Sequence, residues 1–182
     1  MTKFKSNSTG EFVIISRTGN DCLVQFVETG TIKKAHISNV VTGKVKDQYY
    51  PTVYGVGYYG DFEKVTYWKQ AKQLWQNMIK RCYCEKDTKG YYEKVTVCKR
   101  WLCFANFLRD LPKLDNFENW LRGQNSNSVK YNLDKDFIVM GNKIYAPEVC
   151  CFITESENKS AGAKNGKPFT RNKNGHEVTN HV

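Results

Sequence analysis

The sequence predicts an α+β protein, with a small antiparallel β region first and a mixed region of helices and short strands after it. Three observations predict it. Short apolar runs broken by glycine-containing turns fill residues 10–45, a stripe of apolar residues at helical spacing runs from Tyr67 to Tyr83, and extended segments return from Asn132 onward. The two periods occupy separate stretches instead of alternating, which distinguishes an α+β chain from a βαβ one.

In the first stretch, Phe12-Val13-Ile14-Ile15-Ser16 leads to a Thr18-Gly19-Asn20-Asp21 turn, Cys22 to Val27 leads to a Thr29-Gly30 turn, and Ile32 to Ile37 follows. Runs of this length between turn residues read as three or four antiparallel strands, and a short meander closes most easily into a small barrel of the Src-homology or Tudor type. Residues 1–45 are therefore expected to form a small β-barrel-like domain. Residues 46–64 carry Gly55, Gly57 and Gly60 among Tyr49, Tyr50, Tyr54, Tyr58 and Tyr59, and read as a linker. These tyrosines suit packing between domains better than stacking on bases, and the Gly-x-Gly is not followed by the Gly-Lys-Ser/Thr of a phosphate loop.

Ala71, Leu74, Trp75, Met78, Ile79 and Cys82 share one helix face, with Lys69, Lys72, Gln73, Gln76, Lys80 and Arg81 off it. Val95 to Cys98 reads as a short extended piece. A second helix is expected over Trp101 to Leu111, stopping before Pro112 because proline lacks the N–H a helix interior needs. Asn116 to Leu121 adds a turn of helix. Trp75, Trp101, Phe104 and Phe107 fall on apolar faces and belong in the core. Asn132 to Val139 and Ile144-Tyr145 are expected to pair as a hairpin across Met140-Gly141-Asn142-Lys143. The second domain thus spans residues 65–155. Residues 156–182 are rich in Asn, Lys, Gly, Ser and Thr, and a mobile basic tail is expected there, carrying Lys159, Lys164, Lys167, Arg171 and Lys173.

Lysine and arginine outnumber aspartate and glutamate by 28 to 18, for a formal charge of +10. Such a surface attracts polyanions in a salt-dependent way, so nucleic acid is the expected partner, DNA first and RNA next. No run approaches the roughly 18 apolar residues of a spanning helix, and the first residues hold no apolar stretch of signal-peptide kind, so no membrane partner is expected and the cytoplasm is the expected location. Seven cysteines without a secretory signal are expected to be reduced thiols, buried or metal-bound.

An ordered series of landmarks runs from Trp68 to Thr154. It comprises Trp75-x-x-Met78-x-x-Arg81-Cys82-Tyr83, Val97-Cys98-x-x-Trp101, Phe104-x-x-Phe107-Leu108, Leu133-Asp134-Lys135-Asp136 and Tyr145-x-Pro147-Glu148-x-Cys150. In order and character the series resembles the phage-borne HNH-like family, over residues 67–158. The resemblance implies an α-helical plus ββα domain, a nucleic-acid role and a place in the cytoplasm of an infected host cell. It also implies that Leu133 to Phe152 stands where HNH enzymes build their site, in which a histidine activates water and a carboxylate with a further His or Asn holds one divalent metal. Here the first strand reads Asp134-Lys135-Asp136, and no histidine lies between His36 and His176. The usual general base is missing.

If the site is active, Asp134, Lys135 and Asp136 are its catalytic residues. Carboxylates two apart on a strand share a face, and Asp134 and Asp136 could hold Mg²⁺ with Asn142 and Asn158 as further oxygen ligands. The competing reading gives both aspartates hydrogen bonds and ion pairs within the hairpin, to Lys135 and Lys143. Cys82, Cys98 and Cys150 match positions where the family tends to carry cysteine, and with Cys84, Cys103 or Cys151 they could hold Zn²⁺; the lack of a Cys-x-x-Cys knuckle favours core packing instead. The expected phosphate contacts are Lys69, Lys72, Lys80, Arg81, Lys99, Arg100, Lys130 and Lys143.

Three functions fit these residues. The first is a DNA-binding protein built on a catalytically degenerate HNH-like module. The second is an active Mg²⁺-dependent endonuclease. The third is a scaffold that binds and redirects or inhibits a host protein as an anti-defence factor, a contact that would survive salt better than DNA binding does.

Overall fold

The computed structural model describes residues 2–84, 94–124, 129–163, 170, 171, 177 and 178. It is mixed α and β, and the chain divides into two compact units, Met1–Asp61 and Phe62–Val182.

In the first unit β1 (Lys3–Lys5), β2 (Glu11–Thr18), β3 (Asp21–Phe26) and β4 (Ile32–His36) form one antiparallel sheet in chain order, and a short helix α1 (Ile37–Val41) follows. β1 and β4 are the two edges, so the expected barrel is an open four-stranded meander. The chain after β4 does not supply a closing strand, because His36 caps a helix there, its Nδ1 accepting the Ser38 N–H at 3.3 Å. Lysines at both ends of β1 and within β4 keep these edges polar. The buried face puts Phe12, Cys22, Val24 and Phe26 against Val40 and Val45, with the Phe12 and Phe26 rings 5.3 Å apart.

Residues 46–61 belong to this unit and are not a free linker. Asp47 is 3 % exposed; its N–H donates to Thr9 Oγ1 at 2.9 Å, and its carboxylate accepts the Tyr49 N–H at 2.8 Å and the Thr29 hydroxyl. Val53 and Gly57 exchange two backbone hydrogen bonds, and the Tyr49 hydroxyl donates to Asp61 at 2.7 Å. Glycine and tyrosine here serve tight turns and side-chain tethers, a composition that reads as a linker when only local apolar content is counted.

The second unit opens with α2 (Trp68–Tyr83), which buries Ala71, Trp75, Met78, Ile79 and Cys82 as the stripe predicts. β5 (Thr96–Val97) follows. The second helix is shorter than expected: Lys99–Leu102 is a 3₁₀ turn, Cys103 is extended, and α3 runs Phe104–Asp110. Pro112 sits in the first turn of a 3₁₀ stretch, Leu111–Lys113, where a missing N–H costs no hydrogen bond. α4 is Phe117–Gln124. Trp75, Trp101, Phe104 and Phe107 are all fully buried, and the Trp75 indole donates to the Trp101 carbonyl at 2.7 Å. Truncating any of these rings to alanine removes about 3–5 kcal/mol of packing.

The expected hairpin between residues 132–139 and Ile144-Tyr145 does not form. β6 (Tyr131–Asp134) pairs antiparallel with β8 (Cys151–Thr154), Asp134 opposite Cys151, while β7 (Ile144–Tyr145) pairs in parallel with β5. The cause is local. Asp134 Oδ1 accepts the N–H groups of Asp136 and Phe137 at 2.9 and 2.7 Å, which turns the chain and ends β6. Asn142 Nδ2 then donates to the carbonyls of Lys135 and Ile144 at 2.6 and 2.7 Å, closing the loop that delivers β7 to β5.

The expected mobile tail begins as a helix instead, α5 (Glu155–Ala163). Thr154 and Glu157 form a reciprocal cap. Glu157 Oε2 accepts the Thr154 N–H at 2.7 Å, and Thr154 Oγ1 accepts the Glu157 N–H at 3.2 Å. Farther on, β9 (Thr170–Arg171) pairs antiparallel with β10 (Glu177–Val178). Lys164, Lys167 and Lys173 of the expected basic arm lie outside the described residues.

Candidate functional site

Residues of α2, the end of α4 and the start of β6 line a cleft of about 660 Å³ in the second unit. Its apolar surface comes from Leu74, Trp120 and Gly123, with Trp120 fixed by a stacked contact to Phe152 at 5.1 Å. Gly123 permits a close approach, since a Cβ there would stand 3.0 Å from the Val129 carbonyl oxygen. Gln70, Gln73 and Asn77 follow one another at helical spacing on α2 and face the cleft beside its buried stripe; Gln124 and Asn132 add two more carboxamides from the other elements. Tyr131 also lines it. Lys69 and Lys130, both expected phosphate contacts and far apart in sequence, line this same cleft, and none of its lining residues is acidic.

The other expected cations are distributed differently. Lys80 and Arg81 are exposed at the end of α2, Lys99 and Lys143 are exposed, and Lys72 is half-buried. Arg100 is committed to an acid the sequence reading passed over: its Nε and Nη2 donate to Asp110 at 2.6 and 3.0 Å, and the Trp101 indole donates to the same carboxylate at 3.0 Å. Burial pushes the Asp110 carboxyl up, but the hydrogen bonds from Arg100 and Trp101 and the charges of Arg100 and Lys113 outweigh it and hold it below the ordinary carboxylate range. An Arg-Trp dipeptide with an acid nine residues past the tryptophan was the available sequence signal.

Asp134, Lys135 and Asp136 are brought together at the end of β6. Lys135 is buried, its side chain 3 % exposed, with Nζ 3.2 Å from Asp136 Oδ2. Burial first, and the charge of Asp136 second, push the Asp134 carboxyl up to about 6. Asp134 therefore keeps its proton to a higher pH than an ordinary carboxyl does.

The same residues fit a magnesium site poorly. Asp134 Oδ1 is taken by the two turn N–H groups, Asp136 faces the Lys135 ammonium, and Asn142 Oδ1 accepts the Ile144 N–H at 3.2 Å while its amide nitrogen closes the loop. Asn158 is exposed on α5. Among the described residues, no three His, Cys, Asp or Glu side chains are grouped so as to hold a metal ion. Cys82 and Cys150 are buried and Cys98 is half-buried. Burial pushes the Cys82 thiol up to about 11 and raises Cys98 and Cys150 as well.

No protein-family model, curated protein or solved structure matches the chain. No helix among the described residues is long and apolar enough to cross a membrane.

Proposed function

We propose that the chain is a nucleic-acid-binding protein, DNA in the first instance, whose second unit takes the polyanion without cutting it. The observation that carries this reading is the meeting of Lys69 and Lys130 on one acid-free cleft. The formal charge of +10 supports it, because a protein so basic gains affinity for phosphate chains through counterion release. β6 pairs antiparallel with β8, and β8 leads directly into α5; this strand pair and helix support a ββα-like element, with β7 lying between the two strands in sequence and pairing with β5 instead. Binding without cleavage is supported by the carboxylates: Asp134 holds a turn, Asp136 neutralises a buried lysine, and the sequence between Phe62 and Cys151 offers no histidine as a base.

The test is a single gel. Purified protein is incubated with supercoiled DNA, with and without Mg²⁺ or Mn²⁺, and both mobility and nicking are read. The expected result is a shift that fades with salt, no nicks, and loss of the shift in Lys69→Glu/Lys130→Glu. Metal-dependent nicking that disappears in Asp134→Ala/Asp136→Ala would make the protein an endonuclease, and no shift at low salt would remove duplex DNA as the ligand.

A further inference from the structure

We infer that the cleft lined by α2, α4 and β6 accommodates an unpaired nucleotide, so that the protein prefers single-stranded nucleic acid to duplex. This deepens the nucleic-acid reading above and rests on it.

The size of the cleft comes first. At about 660 Å³ it falls within the ordinary range for small-ligand pockets, roughly 300–1,000 Å³. A duplex presents its phosphates on a convex surface and is met by rows of cations, whereas an unpaired base can enter a concavity. Only two of the lining residues are cationic, Lys69 and Lys130, enough to fix a backbone phosphate on either side of a base.

The lining chemistry matches a base more closely than it matches a bare anion. Five carboxamides line the cleft, a group that carries donor and acceptor in one plane, the combination that pairs with base edges, with the Gln124 amide nitrogen also donating to the Trp120 carbonyl at 3.5 Å. Two of them are already fixed against each other: Gln73 Nε2 donates to Asn77 Oδ1 at 2.9 Å. That bond leaves the Gln73 carbonyl as an acceptor and the Asn77 amide nitrogen as a donor, side by side on one helix face. Half-buried Leu74 and Tyr131 give the apolar contact that a base face needs, above Trp120, which is itself buried against Phe152. A phosphate or sulfate alone would use the amide donors but leave the carbonyl acceptors and the apolar wall without a partner, and the absence of a lining carboxylate disfavours a cationic ligand.

The experiment is fluorescence anisotropy with the full chain and three labelled probes of matching length: oligothymidylate, oligouridylate and a hairpin duplex. At least one single strand is expected to bind more than about fivefold tighter than the duplex, the size of one stacked or paired base. The deoxy and ribo strands separate the two sources of the same chemistry. In Asn77→Ala/Gln124→Ala, both exposed helix positions, single-strand affinity is expected to fall about tenfold while duplex affinity stays within about twofold, with the helical circular dichroism unchanged. Duplex binding equal to or tighter than both single strands would overturn the inference and leave the nucleic-acid reading standing. So would a double variant that binds single strands as the parent does. Failure of all three probes at low salt would end both readings.

Discussion

Arg100 grips Asp110 at two points, through Nε at 2.6 Å and Nη2 at 3.0 Å, and the carboxylate so held also receives the Trp101 indole N–H. Asp110 is 3 % exposed, so this is a buried acid kept charged by its partners. Removing it leaves the indole donor of a fully buried tryptophan without its acceptor. Asp110→Ala is expected to lower the stability of the second unit by about 2–4 kcal/mol, read by urea unfolding. Because the folded carboxyl sits below its ordinary value, the stabilisation it gives is present above pH ~4 and lost as pH falls through its folded pKa. An unchanged urea midpoint in the variant would show that the grip is only a surface contact.

The cap of α5 makes a second, local prediction. Glu157→Ala removes the acceptor of both the Thr154 N–H and the Thr154 hydroxyl, bonds of 2.7 and 2.8 Å. The expected loss is about 1 kcal/mol of helix stability, seen as faster amide exchange in the first turn of α5 with β6 and β8 unaffected. Equal exchange in parent and variant would mean that the helix is held by packing and not by its cap.

Residues whose role is set by near neighbours in sequence were legible, and those whose role is set across the fold were not. The α2 stripe from Ala71 to Cys82 and the aromatic core residues Trp75, Trp101, Phe104 and Phe107 follow from a 3.6-residue period, which survives any tertiary arrangement. Charge marked Lys69 and Lys130 as surface cations, but nothing local says that they meet. Barrel closure was misjudged because it depends on whether the edges β1 and β4 find each other, a nonlocal contact. Asp134 shows a different failure: the same carboxylate can be a ligand or a turn acceptor, and the two N–H groups that decide the matter become visible only in the folded chain. For α5 the signal was present. Thr154-x-x-Glu157 is a capping box, a start signal that holds even though few apolar residues follow it.

Gly43 is expected to be intolerant of any side chain. It follows α1 with φ +66°, and an added Cβ would lie 2.6 Å from Asn7 Oδ1 and 2.8 Å from the Lys5 carbonyl oxygen. The backbone neighbour cannot yield easily, because the Asn7 N–H donates to the Gly43 carbonyl at 2.9 Å and ties the same two segments together. Gly43→Ala should destabilise the first unit by roughly 2 kcal/mol or more, through left-handed backbone and steric conflict together. Amide exchange of β2 and β3 is the readout. Retained protection in those strands would mean that the segment after α1 shifts to admit the methyl group.

Asp134 gives the prediction that bears most directly on function. Burial, and then the charge of Asp136, raise its carboxyl from 3.8 to about 6 in the fold. The folded protein therefore holds this proton more tightly than the unfolded chain does. Its contribution to stability is fully present below about pH 4 and is lost as pH rises through about 6, so at neutral pH the ionised group weighs against the fold. Asparagine keeps an Oδ1 acceptor for the Asp136 and Phe137 N–H groups and removes the charge. Asp134→Asn should then be more stable than the parent at about pH 8, by roughly 1–3 kcal/mol, with the difference shrinking between about pH 6 and 4 and vanishing below. All four tryptophans lie in the second unit, so urea unfolding followed by their fluorescence reads this directly. A variant less stable than the parent at neutral pH would mean that the charge at Asp134 is needed there, by the buried Lys135 ammonium or by a bound cation, and would reopen the case for cleavage that the turn geometry speaks against.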